Sequence, residues 1–331
     1  MEMIKWLIPL ILLLMLAGWY LWTPDRPIDH LERHYLRSAD DYVHLPDITL
    51  HVRDDGLKDA PVLVLLHGLG SSLHTWEHWT ESLKQQYRVI ALDLPGFGLT
   101  GPDPTGDYGD ERSIRLLLAL LERLEIKRAT LIGNSLGGRI AWRFAAAHPE
   151  RVDKLVLISP DGFASPGFDY QRKPDIPAVM QLMQFVLPKF LLRMNLSPAY
   201  ADARTVSDEL VTRYHDLLLY PGNRAAVVQR LQQVYLLQPQ PLLQQIRAPV
   251  LLLWGEQDAV IPISNADDYM AALAYSHVHR LPSVGHLPHE EAPQQSLLPV
   301  LEFLQSKDPR SPVGRPLDQS SSTVKVRDSS E

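Results

Sequence analysis

A chain of 331 residues with 45% apolar content can bury one large core, and 32 basic against 39 acidic side chains, a net charge of −7, leave no basic excess to hold nucleic acid. It has no cysteine, which excludes disulfides, thiolate metal sites and a cysteine nucleophile. No His-Glu-x-x-His or similar ligand spacing occurs, so neither a catalytic metal nor a cofactor is expected.

From Trp6 to Trp22 every residue is apolar, small or aromatic, with Tyr20 partly polar. Extended back to Ile4, the run would form about 28 Å of helix, close to a bilayer core. Trp6, Trp19, Tyr20 and Trp22 gather towards its ends, and Lys5 can snorkel. A cleaved signal would have a shorter apolar core and a small-x-small pair, whereas Met15 and Leu16 stand two residues before Ala17 and Gly18. The pattern predicts a single uncleaved transmembrane helix over residues 4–22, a membrane location and a juxtamembrane linker over 23–40. Lys5 on one side against Arg26, Arg33 and Arg37 on the other leaves its orientation open.

Val62–Leu66 is an uninterrupted apolar run of buried-strand type, and it empties into His67-Gly68-Leu69-Gly70. Such a loop can supply a backbone donor to an oxyanion: Leu69 N–H is the candidate, Gly68 lets the backbone approach, and His67 is expected to brace the loop. A further strand over residues 87–92 leads to Asp93-Leu-Pro-Gly-Phe-Gly98, where Asp93 is read as structural.

The strongest signal is Gly133-Asn134-Ser135-Leu136-Gly137, entered by a strand-like run over 129–132 and left by a helix-like run over 139–147. A serine hydroxyl is a poor nucleophile unless a tight turn exposes it beside a base and amide donors. Gly133 and Gly137 leave room for that turn, Ser135 is the candidate nucleophile, and Leu136 N–H is the second oxyanion donor.

After a strand over 154–158 comes Asp161, in the turn-like Pro160-Asp161-Gly162. About ninety residues then precede the next strand, far beyond an ordinary connection. An inserted helical cap accounts for them, with helices around Met180–Met194, Asp208–Asp216 and Ala225–Leu236. Met180, Met183 and Phe190 are candidates for an acyl pocket, against plain packing of cap on core. Arg172, Lys173, Arg193 and Arg204 are available as cations, but none stands out as a carboxylate clamp.

Val250–Trp254 runs into Asp258, and a strand over 277–281 leads to His286. His286 is the expected base and Asp258 the acid that orients it, with Asp161 the alternative acid. His289 is the alternative base, although Pro288 before it and Glu290-Glu291 after it suggest the solvated start of a helix. From Ser306 the chain turns polar and is expected to be disordered.

Together with Asp93-Leu-Pro-Gly-Phe-Gly98 and His148-Pro149-Glu150-Arg151-Val152, these motifs make the chain resemble the α/β-hydrolase superfamily, in its cap-bearing esterase, lipase and C–C hydrolase branch, over roughly residues 40 to 305. The resemblance implies an α/β fold, a mostly parallel sheet with helices on both faces, and the triad Ser135, Asp258, His286 on loops at strand ends. It divides the chain into core (41–160), cap (161–245), core (246–305) and tail (306–331). The activity expected is that of a membrane-anchored serine hydrolase of carboxylic esters with an apolar acyl chain. The alternatives are a C–C bond hydrolase of vinylogous diketones and a non-catalytic binding module. The expected partners are a small ester or lipid and the bilayer, with no nucleic acid and no protein partner implied.

Overall fold

The structure is a computed structural model that describes residues 21–306 continuously, together with Trp6, Pro9, Met15, Leu16 and Gly18. Most of the expected transmembrane segment 4–22 and nearly all of the polar tail lie outside the described residues. Among the described residues no helix is long and apolar enough to cross a membrane, and the membrane location expected from that segment is corrected accordingly.

The segment read as a linker contains helix α1 (Ile28–Tyr35), whose Leu31 is fully buried. Strands β1 (Tyr42–His44) and β2 (Thr49–Gly56) form an antiparallel pair, and β2 also runs antiparallel to β4 (Arg88–Leu92). Between β2 and β4 come β3 (Val62–Leu66) and helix α2 (Glu77–Leu83). The chain continues through α3 (Asp110–Arg123), β5 (Ala129–Asn134), α4 (Leu136–Ala147) and β6 (Val152–Ile158). Helices α5 (Lys189–Leu196), α6 (Asp208–Leu218) and α7 (Asn223–Gln233) follow before β7 (Val250–Gly255). Helix α8 (Ser264–Ala272), β8 (Ser276–Leu281), the short α9 (Pro288–Glu291) and α10 (Pro293–Gln305) complete it.

Among the described residues the strands make one eight-stranded sheet of order β1-β2-β4-β3-β5-β6-β7-β8, parallel from β4 to β8. Side chains alternate across a strand, so each central strand must be apolar on both faces when both are covered. Thus Leu63 and Leu65 face Trp76, Trp79, Val300 and Phe303 from α2 and its approach and from α10. Val64 and Leu66 join the opposite cluster with Leu117, Leu120, Ile140 and Phe144 of α3 and α4. At roughly 1.5–3 kcal/mol for each large side chain buried, these two layers fix the sheet and hence the loops at its carboxyl edge.

Candidate active site

Ser135 lies between the end of β5 and the start of α4 with φ 51° and ψ −116°. A residue with a side chain is strained there, and such strain persists only where the surroundings impose it. Ser135 N–H donates to Ile158 O at 3.0 Å, and Ser135 O accepts from Asp161 N at 3.1 Å. A Cβ at Gly133 would stand 2.3 Å from Gly137 O, and one at Gly137 would stand 2.1 Å from Leu66 O. Both glycines are therefore steric requirements of the turn.

The loop after β3 presses on the same turn: a Cβ at Gly68 would meet Asn134 Oδ1 at 2.7 Å and Ser135 Cβ at 3.4 Å. Gly68, Leu69, Ser135, Leu136 and His286 line one cavity of about 350 Å³. Leu136 is the first residue of α4, so its N–H has no acceptor within the helix and carries the positive end of the helix dipole. The fully buried His67 has both ring nitrogens on the backbone, Nε2 accepting from Leu94 N at 3.0 Å and Nδ1 bonded to Gly68 O at 2.8 Å. Burial lowers its pKa, consistent with a neutral ring that ties this loop to the one after β4.

Asp258, after β7, has a fully buried side chain. Its Oδ1 accepts from Val260 N at 2.8 Å and Ile261 N at 2.9 Å, and Oδ2 meets His286 Nδ1 at 2.8 Å. Such a pairing makes Nδ1 the donor and leaves Nε2 to take a proton. Asp161 also lines the cavity, but its carboxylate lies 3.3 Å from Arg139 Nη1. His289 is fully buried, stacked on Trp76 with its Nε2 2.9 Å from Thr75 Oγ1. Burial and the nearby His286 push its pKa down to about 3. The solvated helix start expected there is therefore corrected. Asp93 is buried as well: burial pushes its pKa up, but the His51 ring 2.7 Å away pulls harder, and the carboxyl stays below its usual range.

Met180, Met183 and Phe190 are not among the residues lining the Ser135 cavity. Met180 and Met183 pack against the main core, and Phe190 is 58% exposed. The apolar lining comes instead from Phe168, Leu196, Leu231, Val234, Ile261 and Leu287.

Three features escaped the sequence. Asn134 Nδ2 donates to His286 O at 3.1 Å and to Ile158 O at 3.2 Å, tying the nucleophile's strand to the histidine loop. Glu290 accepts from Tyr200 OH at 2.6 Å and Tyr214 OH at 3.0 Å and pairs with Arg213, while Tyr214 OH also reaches Ser71 Oγ at 3.1 Å. Arg230 lines the cavity without a carboxylate beside it among the described residues. The Asn before Ser135 stood inside the recognised motif; the other two depend on contacts between distant segments.

Residues 61–293 match the model of the α/β hydrolase fold family. A 2-hydroxy-6-oxononadienedioate/2-hydroxy-6-oxononatrienedioate hydrolase of Comamonas testosteroni is 27% identical over 268 residues, which cover 78% of this chain and 92% of the relative. A meta-cleavage product hydrolase from Pseudomonas fluorescens superposes with a TM-score of 0.68 at 25% identity, covering 78% of this chain and 94% of that one. A lipase structure from Acinetobacter baumannii, itself assigned only provisionally, gives 0.71 at 25% identity, with 85% and 97% covered.

Proposed function

The chain belongs to the α/β hydrolase fold family, and from that premise we propose that it is a serine hydrolase cleaving the C–C bond of a vinylogous diketone. One observation carries the reading: strained Ser135 lines a cavity with His286, whose Nδ1 sits 2.8 Å from Asp258. Ser135 Oγ attacks the substrate carbonyl as His286 Nε2 takes its proton, and the Leu69 and Leu136 amides receive the oxyanion. In the keto tautomer, where the reacting carbonyl is joined to a saturated carbon, collapse breaks that C–C bond; the electron pair passes through the adjacent enone to its distal carbonyl oxygen, and the His286 imidazolium gives its proton to the resulting dienolate. Water, activated by the same histidine, then hydrolyses the acyl-serine.

Likeness to the dienedioate hydrolase and the meta-cleavage product hydrolase favours carbon as the leaving atom. A cavity of about 350 Å³ also suits a compact substrate better than a long acyl chain, since small-molecule pockets begin near 300 Å³. Likeness to the lipase and the mainly apolar lining support a second reading, hydrolysis of esters with an apolar acyl group. In either reading residues 161–245 act as a cap over a core formed by 41–160 and 246–305.

The test supplies purified protein with 2-hydroxy-6-oxo-6-phenylhexa-2,4-dienoate and, separately, p-nitrophenyl butyrate. A kcat/KM at least about tenfold higher on the dienoate supports C–C hydrolysis, and the reverse ranking selects the ester. Turnover of both substrates by Ser135→Ala at the wild-type rate would remove both readings.

A further inference from the structure

Glu290 and Glu291 end the short helix α9 just beyond His286, and they face different groups. Glu290 takes the side chains of Tyr200, Arg213 and Tyr214. Glu291 takes backbone instead: its Oε2 accepts from Gly285 N at 2.7 Å and its Oε1 from Asp202 N at 3.0 Å. One carboxylate thereby joins the amide next to His286 to an amide of the inserted segment, far away in the chain.

The same segment reaches the histidine itself. His286 N donates to Ala199 O at 2.7 Å, and a Cβ at Gly285 would stand 2.6 Å from Ala199 O and 2.7 Å from Ala201 N. Backbone therefore lies directly on backbone, and a side chain at 285 would push the two segments apart. On its other side His286 O accepts from Asn134 Nδ2 at 3.1 Å, while the ring meets Asp258. Asn134 and Asp258 belong to the sheet and its loops, whereas the N–H side of the histidine is held by the inserted segment. Asp258 sets the tautomer and the turn of the imidazole, but peptide hydrogen bonds set where its backbone stands. That position matters, because a base must lie within hydrogen-bond reach of its proton and a displacement of about 1 Å can cost about 10²-fold in rate.

We propose that Glu291 is a positioning residue for His286: it clamps residues 199–202 against the histidine loop, so that the base is in place only while the inserted segment is closed on it. The segment then supplies part of the catalytic frame as well as a wall for the substrate. The inference rests on the hydrolase reading for the role of His286 and adds to it a coupling between closure and assembly of the base.

Two measurements test it. Amide hydrogen exchange, followed by NMR on the unmodified full chain, should give Asp202, Gly285 and His286 protection factors within about tenfold of one another, since one opening frees all three. A wider spread would mean that the inserted segment and the histidine loop open separately, and would overturn the proposal. The second measurement is Glu291→Gln. An amide offers one acceptor oxygen where a carboxylate offers two, so one of the two N–H groups loses its partner. On whichever substrate is turned over, the dienoate or the ester, kcat per fluorophosphonate-labelled site should fall at least about tenfold with KM within about twofold, a split that loss of folded protein does not produce. Glu290→Gln, which frees side chains of the substrate wall, should act mainly on KM. Unchanged kcat in Glu291→Gln, or a loss carried by KM, would overturn the proposal. If that variant does not fold, the exchange measurement decides alone. Matched protection in a protein that turns over neither substrate would refute the hydrolase reading and leave the clamp intact; a wide spread in an active enzyme would do the reverse.

Discussion

The two walls of the cavity are built by different means. On the sheet side the backbone dictates position: β5, β7 and β8 end in loops that bring Ser135, Asp258 and His286 together, and glycines admit the close approaches. On the cap side, long-range polar contacts set the wall. Tyr200, Arg213 and Tyr214 all converge on Glu290, and His286 N donates to Ala199 O at 2.7 Å. Val179, Leu182, Phe190 and Met194 on the inserted helices, each more than half exposed, are not among the residues lining the cavity. Apolar content therefore does not locate the cap wall; buried polar anchors do.

The largest effects should come from the backbone-set wall. Ser135→Ala should lower kcat by about 10⁶-fold, the scale seen when a triad nucleophile is lost. Stopped-flow measurement on either substrate class checks this. Asp258→Asn should cost about 10⁴-fold, because an amide can stabilise the wrong imidazole tautomer. Asp161→Asn should cost less than about tenfold on the same scale, since its carboxylate faces Arg139. A larger loss at 161 than at 258 would mean that the orienting acid belongs to the strand before the cap.

That contrast also explains what the sequence revealed. The apolar runs at 62–66, 129–132 and 250–254 become buried parallel strands, and Leu69, Ser135 and Asp258 each follow one of them within a few positions, while His286 follows the more polar β8. Local order in the chain becomes local order along the sheet edge. β2 was missed: it lies between β1 and β4, antiparallel to both, and its HVRDDG segment carries no continuous apolar run. Glu290 was misread as solvated, because its partners lie 76 to 90 residues away and neither spacing nor periodicity encodes them. Arg230 escaped for a related reason: an arginine on a helix reads as a surface residue until burial and the lack of a carboxylate partner are seen together.

Next in size is the latch that holds the cap wall. Glu290→Gln removes the charge opposite Arg213 and weakens the acceptor used by two buried tyrosines. Breaking a fully buried pair costs about 3–5 kcal/mol, but the Arg213 side chain is 21% exposed, so about 2 kcal/mol is expected. Denaturant melts should show this loss, and KM should rise with it as Tyr214 loses one of its two anchors. Unchanged stability and KM would mean that the cap is held by its apolar packing alone, which would erase the difference between the two walls.

The smallest effect should lie at the exposed apolar residues of the inserted helices. Phe190 is 58% exposed and outside the cavity lining, so Phe190→Ser should change stability by no more than about 0.5 kcal/mol. It should also leave kcat/KM within about twofold across p-nitrophenyl acetate, butyrate and hexanoate. Leu231→Ala supplies the contrast. Leu231 is buried, lines the cavity and sits one residue beyond Arg230 on α7. Its truncation removes apolar surface where a substrate chain would rest, at about 0.8 kcal/mol for each substrate methylene that is no longer buried. The chain-length dependence should therefore flatten in Leu231→Ala and persist in Phe190→Ser. If instead Phe190→Ser flattened it and Leu231→Ala did not, the inserted helices would have to rearrange with α5 turned inward, and the wall around Leu231 would belong to the closed state.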